Sequence, residues 1–170
     1  MRRRPFPAAV VLAATLLLAS ACGSSDDKAG AQPSSSTTAA TKLINYEDAG
    51  GTGGVAIKKA ADVVKLKGAP EDFKAFIAGI IDYASNSTEP SKECPAIVTV
   101  SRIDPAGFAS GGFNMCDGYA FIWAKVDGVW QQIDAGQMFP ACESMKKYSV
   151  PKTIVGDQCA QDSGNVDYTG

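Results

Sequence analysis

The chain has 170 residues, of which 45% are hydrophobic, 20% charged and 8% aromatic, a composition typical of a soluble globular protein. It contains no histidine, which excludes Ser-His-Asp and Cys-His catalysis and histidine-ligated zinc sites. The formal net charge of −2 offers no basic surface, so we expect no nucleic-acid partner. The length suits one folded domain.

The first 21 residues have the layout of a secretory signal. Three arginines follow Met1, an apolar run interrupted only by Thr15 covers residues 8–18, and Ala19-Ser20-Ala21 precedes Cys22. The run is too short to span a bilayer as a helix. The segment resembles the lipobox of bacterial lipoproteins. The resemblance implies diacylglyceryl transfer to the Cys22 thiol, cleavage before that residue and acylation of its amine.

The sequence divides into three parts: residues 1–21 as a lipoprotein signal peptide, 22–41 as the lipidated cysteine with a flexible tether, and 42–170 as a single globular α+β domain. Residues 23–41 carry no large apolar side chain, so they cannot bury enough surface to offset the entropy of ordering. We therefore expect a protein held at the extracytoplasmic face of the cell membrane by its lipid anchor.

An amphipathic helix is predicted over residues 70–84, because apolar residues recur there at helical spacing and Pro70 suits the first helical position. Short strands at 43–46 and 55–57 and a helical turn at 60–66 are predicted before it. The apolar stripe of the helix comprises Phe73, Phe76, Ile77, Ile80 and Ala84.

Four strands are predicted after the helix, at residues 96–103, 108–113, 119–126 and 129–135. The tetrapeptide at 104–107 is typical of a type I turn, and Asp127-Gly128 of a two-residue hairpin. The sequence thus predicts an α+β fold with an antiparallel meander of about four strands. A short helix at 140–148, a further turn at 151–156 and a frayed tail at 163–170 complete the prediction.

A two-residue turn sets the register of the second hairpin and gives each of its strands two faces. The aliphatic face is the expected bed of the 70–84 helix; it holds Ala120, Ile122, Ala124, Val126, Val129, Gln131, Ile133 and Ala135. The other face is the candidate ligand face, with Tyr119, Phe121, Trp123, Lys125, Trp130 and Gln132, and it ends at Asp134. Half-exposed Trp and Tyr are good binding anchors, and the alternative is a second core layer under the C-terminal segment.

Besides Cys22 the chain has an even number of cysteines, Cys94, Cys116, Cys142 and Cys159, which is typical of two disulfides outside the cytoplasm. The turn at 104–107 opposes residues whose numbers sum to about 211, which brings Cys94 within one position of Cys116. A bulge at Gly111-Gly112 would absorb that offset. A short helix and a turn at Pro151 can fold Cys159 back to Cys142. We therefore predict the pairs Cys94–Cys116 and Cys142–Cys159.

From Phe108 onward the sequence resembles small secreted proteins and lipoproteins of actinobacteria, through the segments FASGGF, CDGYAFIWAKVDGVWQQIDAGQ and KKYSVPKTIVGDQC. The similarity covers roughly the last 65 residues and extends weakly back to GAPEDFKAFIAG. The resemblance implies a compartment and a disulfide pattern, and it supplies no catalytic residue to carry over.

We expect a non-catalytic lipoprotein of the cell envelope that binds a protein partner or a small ligand through the aromatic face, without a cofactor or metal. One alternative is an envelope glycan hydrolase that uses carboxylates, of which Asp117, Asp134 and Glu143 are the ones near the aromatic strands. Surface charge is the commoner role for such residues. A structural or inhibitory module without a small ligand is the second alternative.

Overall fold

The computed structural model describes residues 42–48, 53–87 and 94–170 of the chain. The predicted signal peptide at 1–21 and the predicted tether at 22–41, with Cys22, lie outside the described residues. The described residues belong to one compact unit.

Among the described residues, the framework is an antiparallel sheet of six strands. The strands are β1 (Ile44–Asn45), β2 (Val55–Ile57), β3 (Ile97–Asp104), β4 (Phe108–Met115), β5 (Asp117–Val126) and β6 (Val129–Gly136). They lie in the order β1-β3-β4-β5-β6, and β2 shares the outer edge of β3 with β1. The predicted meander is present as β3 to β6. The expected total of about four strands is wrong because both short N-terminal segments pair with β3.

The turn between β5 and β6 has the conformation that its sequence predicts. Asp127 and Gly128 both have positive φ values, 51° and 82°, as a type I′ turn requires. Next to the turn, Lys125 lies opposite Trp130 as expected. Farther along, a bulge shifts the register by one residue. Asp134 therefore lies opposite Ile122, on the aliphatic face rather than on the predicted ligand face.

The β3–β4 hairpin also contains a bulge, but not at the predicted position. Residues 97–100 pair with β4 in the expected register, in which partner numbers sum to 211. The irregularity lies at Ser101 of β3 and not at Gly111-Gly112 of β4. Cys116 is the single residue between β4 and β5, and its φ of 73° is in the left-handed region.

Helix α1 (Glu71–Ser87) packs on the aromatic face of the sheet, so the expectation that it covers the aliphatic face is wrong. The ring of Phe73 meets Trp130 edge-on at a centroid distance of 4.7 Å and Trp123 at 6.0 Å. The physical reason is volume, because the space between a helix and a sheet must be filled at the density of a crystal. The large rings fill that space, and the small aliphatic residues of the other face do not.

The first core cluster lies between α1 and the sheet. The exposed area of Ile81 is zero, whereas Ile80 is only partly buried, so the buried stripe is rotated slightly from the predicted one. Gly111 lies beneath Trp123, and a Cβ added there would be 2.8 Å from two ring carbons and would also clash with the carbonyl oxygen of Thr99. A residue without a side chain therefore lets the indole lie against β4.

The C-terminal segment covers part of the opposite face. It forms α2 (Cys142–Lys147), α3 (Lys152–Val155) and a hairpin of β7 (Gln158–Gln161) and β8 (Gly164–Asp167). Tyr168 is buried, and its hydroxyl donates a hydrogen bond to the Val150 carbonyl oxygen at 2.7 Å. The predicted frayed tail is therefore wrong. A second core cluster results, with Ile122, Cys142, Met145, Val150, Ile154, Cys159 and Tyr168 as its buried members.

Both predicted disulfides are confirmed. The Cα atoms are 4.9 Å apart in Cys94–Cys116 and 5.0 Å apart in Cys142–Cys159, within the range that a disulfide requires. The first disulfide joins the chain just before β3 to the turn after β4. The second joins α2 to β7 and lies inside the second core cluster.

Candidate functional site

The predicted ligand face is divided between core and surface. Trp123 is fully buried and Trp130 is 6% exposed, both beneath α1. Phe121 is partly buried, and its ring stacks parallel to Phe113 with centroids 6.0 Å apart. The structure therefore brings the two tryptophans together as core residues. The exposed members of this face are Tyr119, Lys125 and Gln132.

Lys125 joins the sheet to the first turn of α1. Its Nζ atom donates a hydrogen bond to Oδ2 of Asp72. That hydrogen bond holds the pKa of Asp72 below its usual range. The indole Nε1 atom of Trp130 is buried and has no hydrogen-bond partner among the described residues. The Lys125–Asp72 pair is largely exposed to solvent, so it contributes at most what a surface ion pair does.

An open groove lies on the face of the sheet opposite α1, where the C-terminal segment leaves strands uncovered. Its volume is about 610 Å³, within the range of ordinary ligand pockets. Ser110, Ala120 and Ile122 form the floor. Residues 137–140, which directly follow β6, form one wall, and residues 154–156 form the other. We call this feature the C-terminal groove.

Two large apolar side chains stand at the mouth of the C-terminal groove. Met138 is 71% exposed and Phe139 is 45% exposed. Residues of this size are usually buried, and an apolar patch next to a concave surface is typical of a binding site. The opposite wall contributes Ile154 and Val155, which are mostly buried against the second core cluster. The groove is therefore apolar on both sides.

An arginine lies at one end of the C-terminal groove. Arg102 donates a hydrogen bond from Nη2 to Oε2 of Glu47 at 2.8 Å and from Nη1 to the carbonyl oxygen of Thr153 at 3.1 Å. These contacts tie β3 to the end of β1 and to α3, which positions the wall formed by 154–156. A guanidinium has five N–H donors, so donors remain for a ligand at this end.

A shallower and more polar recess of about 290 Å³ continues from the groove across the sheet. Ser101 lines both cavities, and Thr99, Asn114 and Tyr119 line the recess. Gly112 is part of the same lining, and a Cβ there would be 3.0 Å from the Tyr119 carbonyl oxygen. Tyr119 is thus the one member of the predicted ligand face that borders this recess.

The carboxylates considered for hydrolysis do not meet in the C-terminal groove. Asp117 lies in β5, Glu143 in α2, and Asp134 in β6, where its Oδ2 accepts a hydrogen bond from the Ala141 N–H at 3.2 Å. Glu47 is the carboxylate among the described residues that line the groove. Within residues 42–48, 53–87 and 94–170, no group of three His, Cys, Asp or Glu side chains is placed to hold a metal ion. No helix in these ranges is long and apolar enough to cross a membrane.

Sequence reasoning missed the C-terminal groove because one wall is an irregular segment after β6 and the other is the end of α3, a helix of four residues. Met138-Phe139 after β6 carried a signal that could have been used, since two consecutive large apolar residues follow a strand end where a polar turn is usual. Their partner wall, at 154–156, is brought near by the fold and not by sequence spacing. No protein-family model, curated protein or solved structure matches this chain, so the groove is interpreted from its own geometry.

Proposed function

We propose that the protein is a non-catalytic lipoprotein of the cell envelope that binds a protein partner or a small ligand in the C-terminal groove. The attachment part of the proposal rests on the lipobox-like segment that ends at Cys22. The two disulfides support it, because such bonds persist in oxidising compartments.

The single observation that carries the binding part is the exposure of Met138 and Phe139 beside a groove of about 610 Å³. Full burial of a side chain of this size stabilises by about 1.5–3 kcal/mol, and these two partly exposed residues forgo a share of it. A ligand that covers them recovers part of that energy. The groove replaces the predicted ligand face in this proposal because Trp123 and Trp130 are buried under α1.

The chemistry of the groove favours binding over hydrolysis. Glycoside hydrolysis requires two carboxyl groups that face one substrate. Among the described residues that line the groove, Glu47 is the one carboxylate, and its Oε2 atom lies 2.8 Å from Nη2 of Arg102 in an ion pair. Ser101 and Ser110, which line the groove, have no histidine to activate them, because the chain contains none.

Site-specific photo-crosslinking in native membranes tests the binding site. A benzophenone side chain is introduced at Phe139 in the full chain, and matched variants carry it at Tyr119 and at Tyr83. Tyr83 is the control, because it is 74% exposed on α1, which packs on the face of the sheet opposite the groove. We expect a defined adduct from position 139 and none from position 83. A defined adduct from position 119 alone would place the site at the polar recess and not between the two apolar walls, and equal labelling at all three positions would refute a specific site.

Cys22→Ala tests the anchor separately. We expect the variant to leave the membrane fraction, because the lipid would have no thiol to modify. The measurement is fractionation after a high-salt wash, with metabolic labelling by a fatty acid as the second readout. Retention of the Cys22→Ala protein in washed membranes would contradict the lipoprotein assignment and leave the groove proposal untouched.

A further inference from the structure

The outer side of β6 is an open sheet edge. β6 pairs with β5 on one side, and within the described ranges no strand pairs with its other side. On the opposite side of the meander, the outer backbone groups of β3 are paired, because β1 and β2 both form hydrogen bonds along it. An edge strand of eight residues presents unpaired backbone donors and acceptors to any strand that comes alongside.

The register identifies which backbone groups point outward. Val129 flanks a two-residue turn and pairs with Val126, so these two residues exchange hydrogen bonds. In an antiparallel ladder the bonded positions alternate, so Gln131 also bonds to β5. The N–H and C=O groups of Trp130 and Gln132 therefore point away from the sheet. Neither has a backbone hydrogen bond to a described residue outside the strands.

The exposed side chains along this edge carry no charge that would repel an identical strand. Natural edge strands commonly carry lysine or proline to block pairing. The first four residues of β6 contain neither, and Gln131, Gln132 and Val129 are exposed. The only charge in β6 is Asp134, which lies beyond the bulge and accepts a hydrogen bond from the Ala141 N–H.

We propose that β6 is a self-association edge, where two copies of this chain pair antiparallel about a two-fold axis at Gln131. In this register Trp130 of each copy lies opposite Gln132 of the other. The outward groups of both residues then form four backbone hydrogen bonds across the interface. The axis is perpendicular to the sheet, so the two α1 helices share one face and both C-terminal grooves stay open on the other.

A second copy is the occupant that fits because the two-fold axis places Gln131 opposite its own counterpart, where neither copy carries a charge. A charged residue at the axis would face its own copy and weaken the pair. Gln131 instead faces Gln131, and two amide side chains can donate to and accept from each other. Val129, which is 67% exposed, comes opposite Ile133 of the second copy and loses water contact. The edge is thus complementary to itself.

The test measures the mass of the full chain in detergent by size-exclusion chromatography with light scattering over a wide concentration range. We expect the protein mass to rise from one copy to two. Gln132→Pro removes one outward N–H from each copy without removing a bond to β5 and should lower the association constant on the order of 30-fold. Gln132→Ala loses the same side chain, keeps the N–H and should dimerise normally.

Two variants of opposite charge at residue 131 keep the test decisive if the proline variant does not fold. Gln131→Lys and Gln131→Glu each place like charges at the axis and should be monomeric, whereas an equimolar mixture should restore the dimer. Circular dichroism melts verify that each variant is folded. A mass of one copy at every concentration, or a dimer that Gln132→Pro and both Gln131 variants leave unchanged, would overturn the proposal. Neither result bears on the groove.

Discussion

Replacing Phe73 by alanine would test the packing of α1 on the aromatic face. The side chain has no exposed area, so its transfer term is about 1.5–3 kcal/mol. Its ring also meets Trp130 at 4.7 Å and Trp123 at 6.0 Å, and such edge contacts contribute about 0.5–1.5 kcal/mol each. We therefore expect a loss of about 3–5 kcal/mol in the free energy of unfolding, a large share of the stability of a typical domain.

Urea unfolding followed by tryptophan fluorescence and by circular dichroism measures this loss. The chain has two tryptophans, and both contact Phe73, so the native emission should shift to the red as the cavity admits water. Tyr83→Ala on the same helix is the matched control. Its side chain is 74% exposed, and the change should stay within about 0.5 kcal/mol. If Phe73→Ala costs less than about 1 kcal/mol and leaves the emission unchanged, the helix does not pack on the tryptophans.

Two further predictions concern β4 and the first turn of α1. Gly111→Ala should lower the free energy of unfolding by about 1–3 kcal/mol, because the added Cβ would overlap the Thr99 carbonyl oxygen and come within 2.8 Å of the Trp123 ring. The matched control is Gly79→Ala in α1, where the added Cβ meets no atom within 4 Å, and this change should raise the free energy of unfolding by about 1 kcal/mol. If the two substitutions had similar effects, the close contacts at Gly111 would be contradicted. The carboxyl of Asp72 should titrate by NMR below the usual value of about 3.9, so its stabilising effect is present above that pH and is lost as the pH falls through its folded-state pKa. Lys125→Met should move the midpoint upward, and an unchanged midpoint would show that the hydrogen bond from the lysine is not the cause.

Local sequence signals predicted most of the elements. The Asp127-Gly128 turn needs two residues that tolerate positive φ, and it sets the register of the strands beside it. The helical spacing of residues 73–84 predicted α1 nearly to its ends. The Cys94–Cys116 disulfide was predicted from the register of a hairpin, and Cys142–Cys159 from a short helix and a turn at Pro151 that fold the chain back.

The relative placement of elements was harder to predict. Both faces of the β5–β6 hairpin are apolar enough to be covered, so periodicity alone could not decide which one α1 takes. The bulge in β6 moved Asp134 to the other face, and no residue type in that stretch marks a bulge. Tyr168 is buried because α2 and the turn before α3 supply an acceptor at Val150, a contact that no spacing rule predicts.

The candidate site was predicted only in part, for the same reason. Tyr119 does lie at the recess that continues from the groove, but the two tryptophans of the predicted ligand face are core. The groove depends on Ser110 and Ala120 being small, on a wall after β6 and on α3. Those three features meet only after the sheet and the C-terminal segment have packed together.

The order of the disulfides along the chain bears on how the protein acquires them. Cys94 pairs with the next cysteine, 22 residues later, and Cys142 with the one 17 residues after it. When the chain enters an oxidising compartment from its N-terminal end, Cys116 is the first of these four to follow Cys94, and Cys159 is the first to follow Cys142. Sequential oxidation then yields the native connectivity directly, so that thiol–disulfide reshuffling is not needed to correct it. Neither loop encloses the other, and the β3–β4 hairpin can be cross-linked before the C-terminal segment has folded.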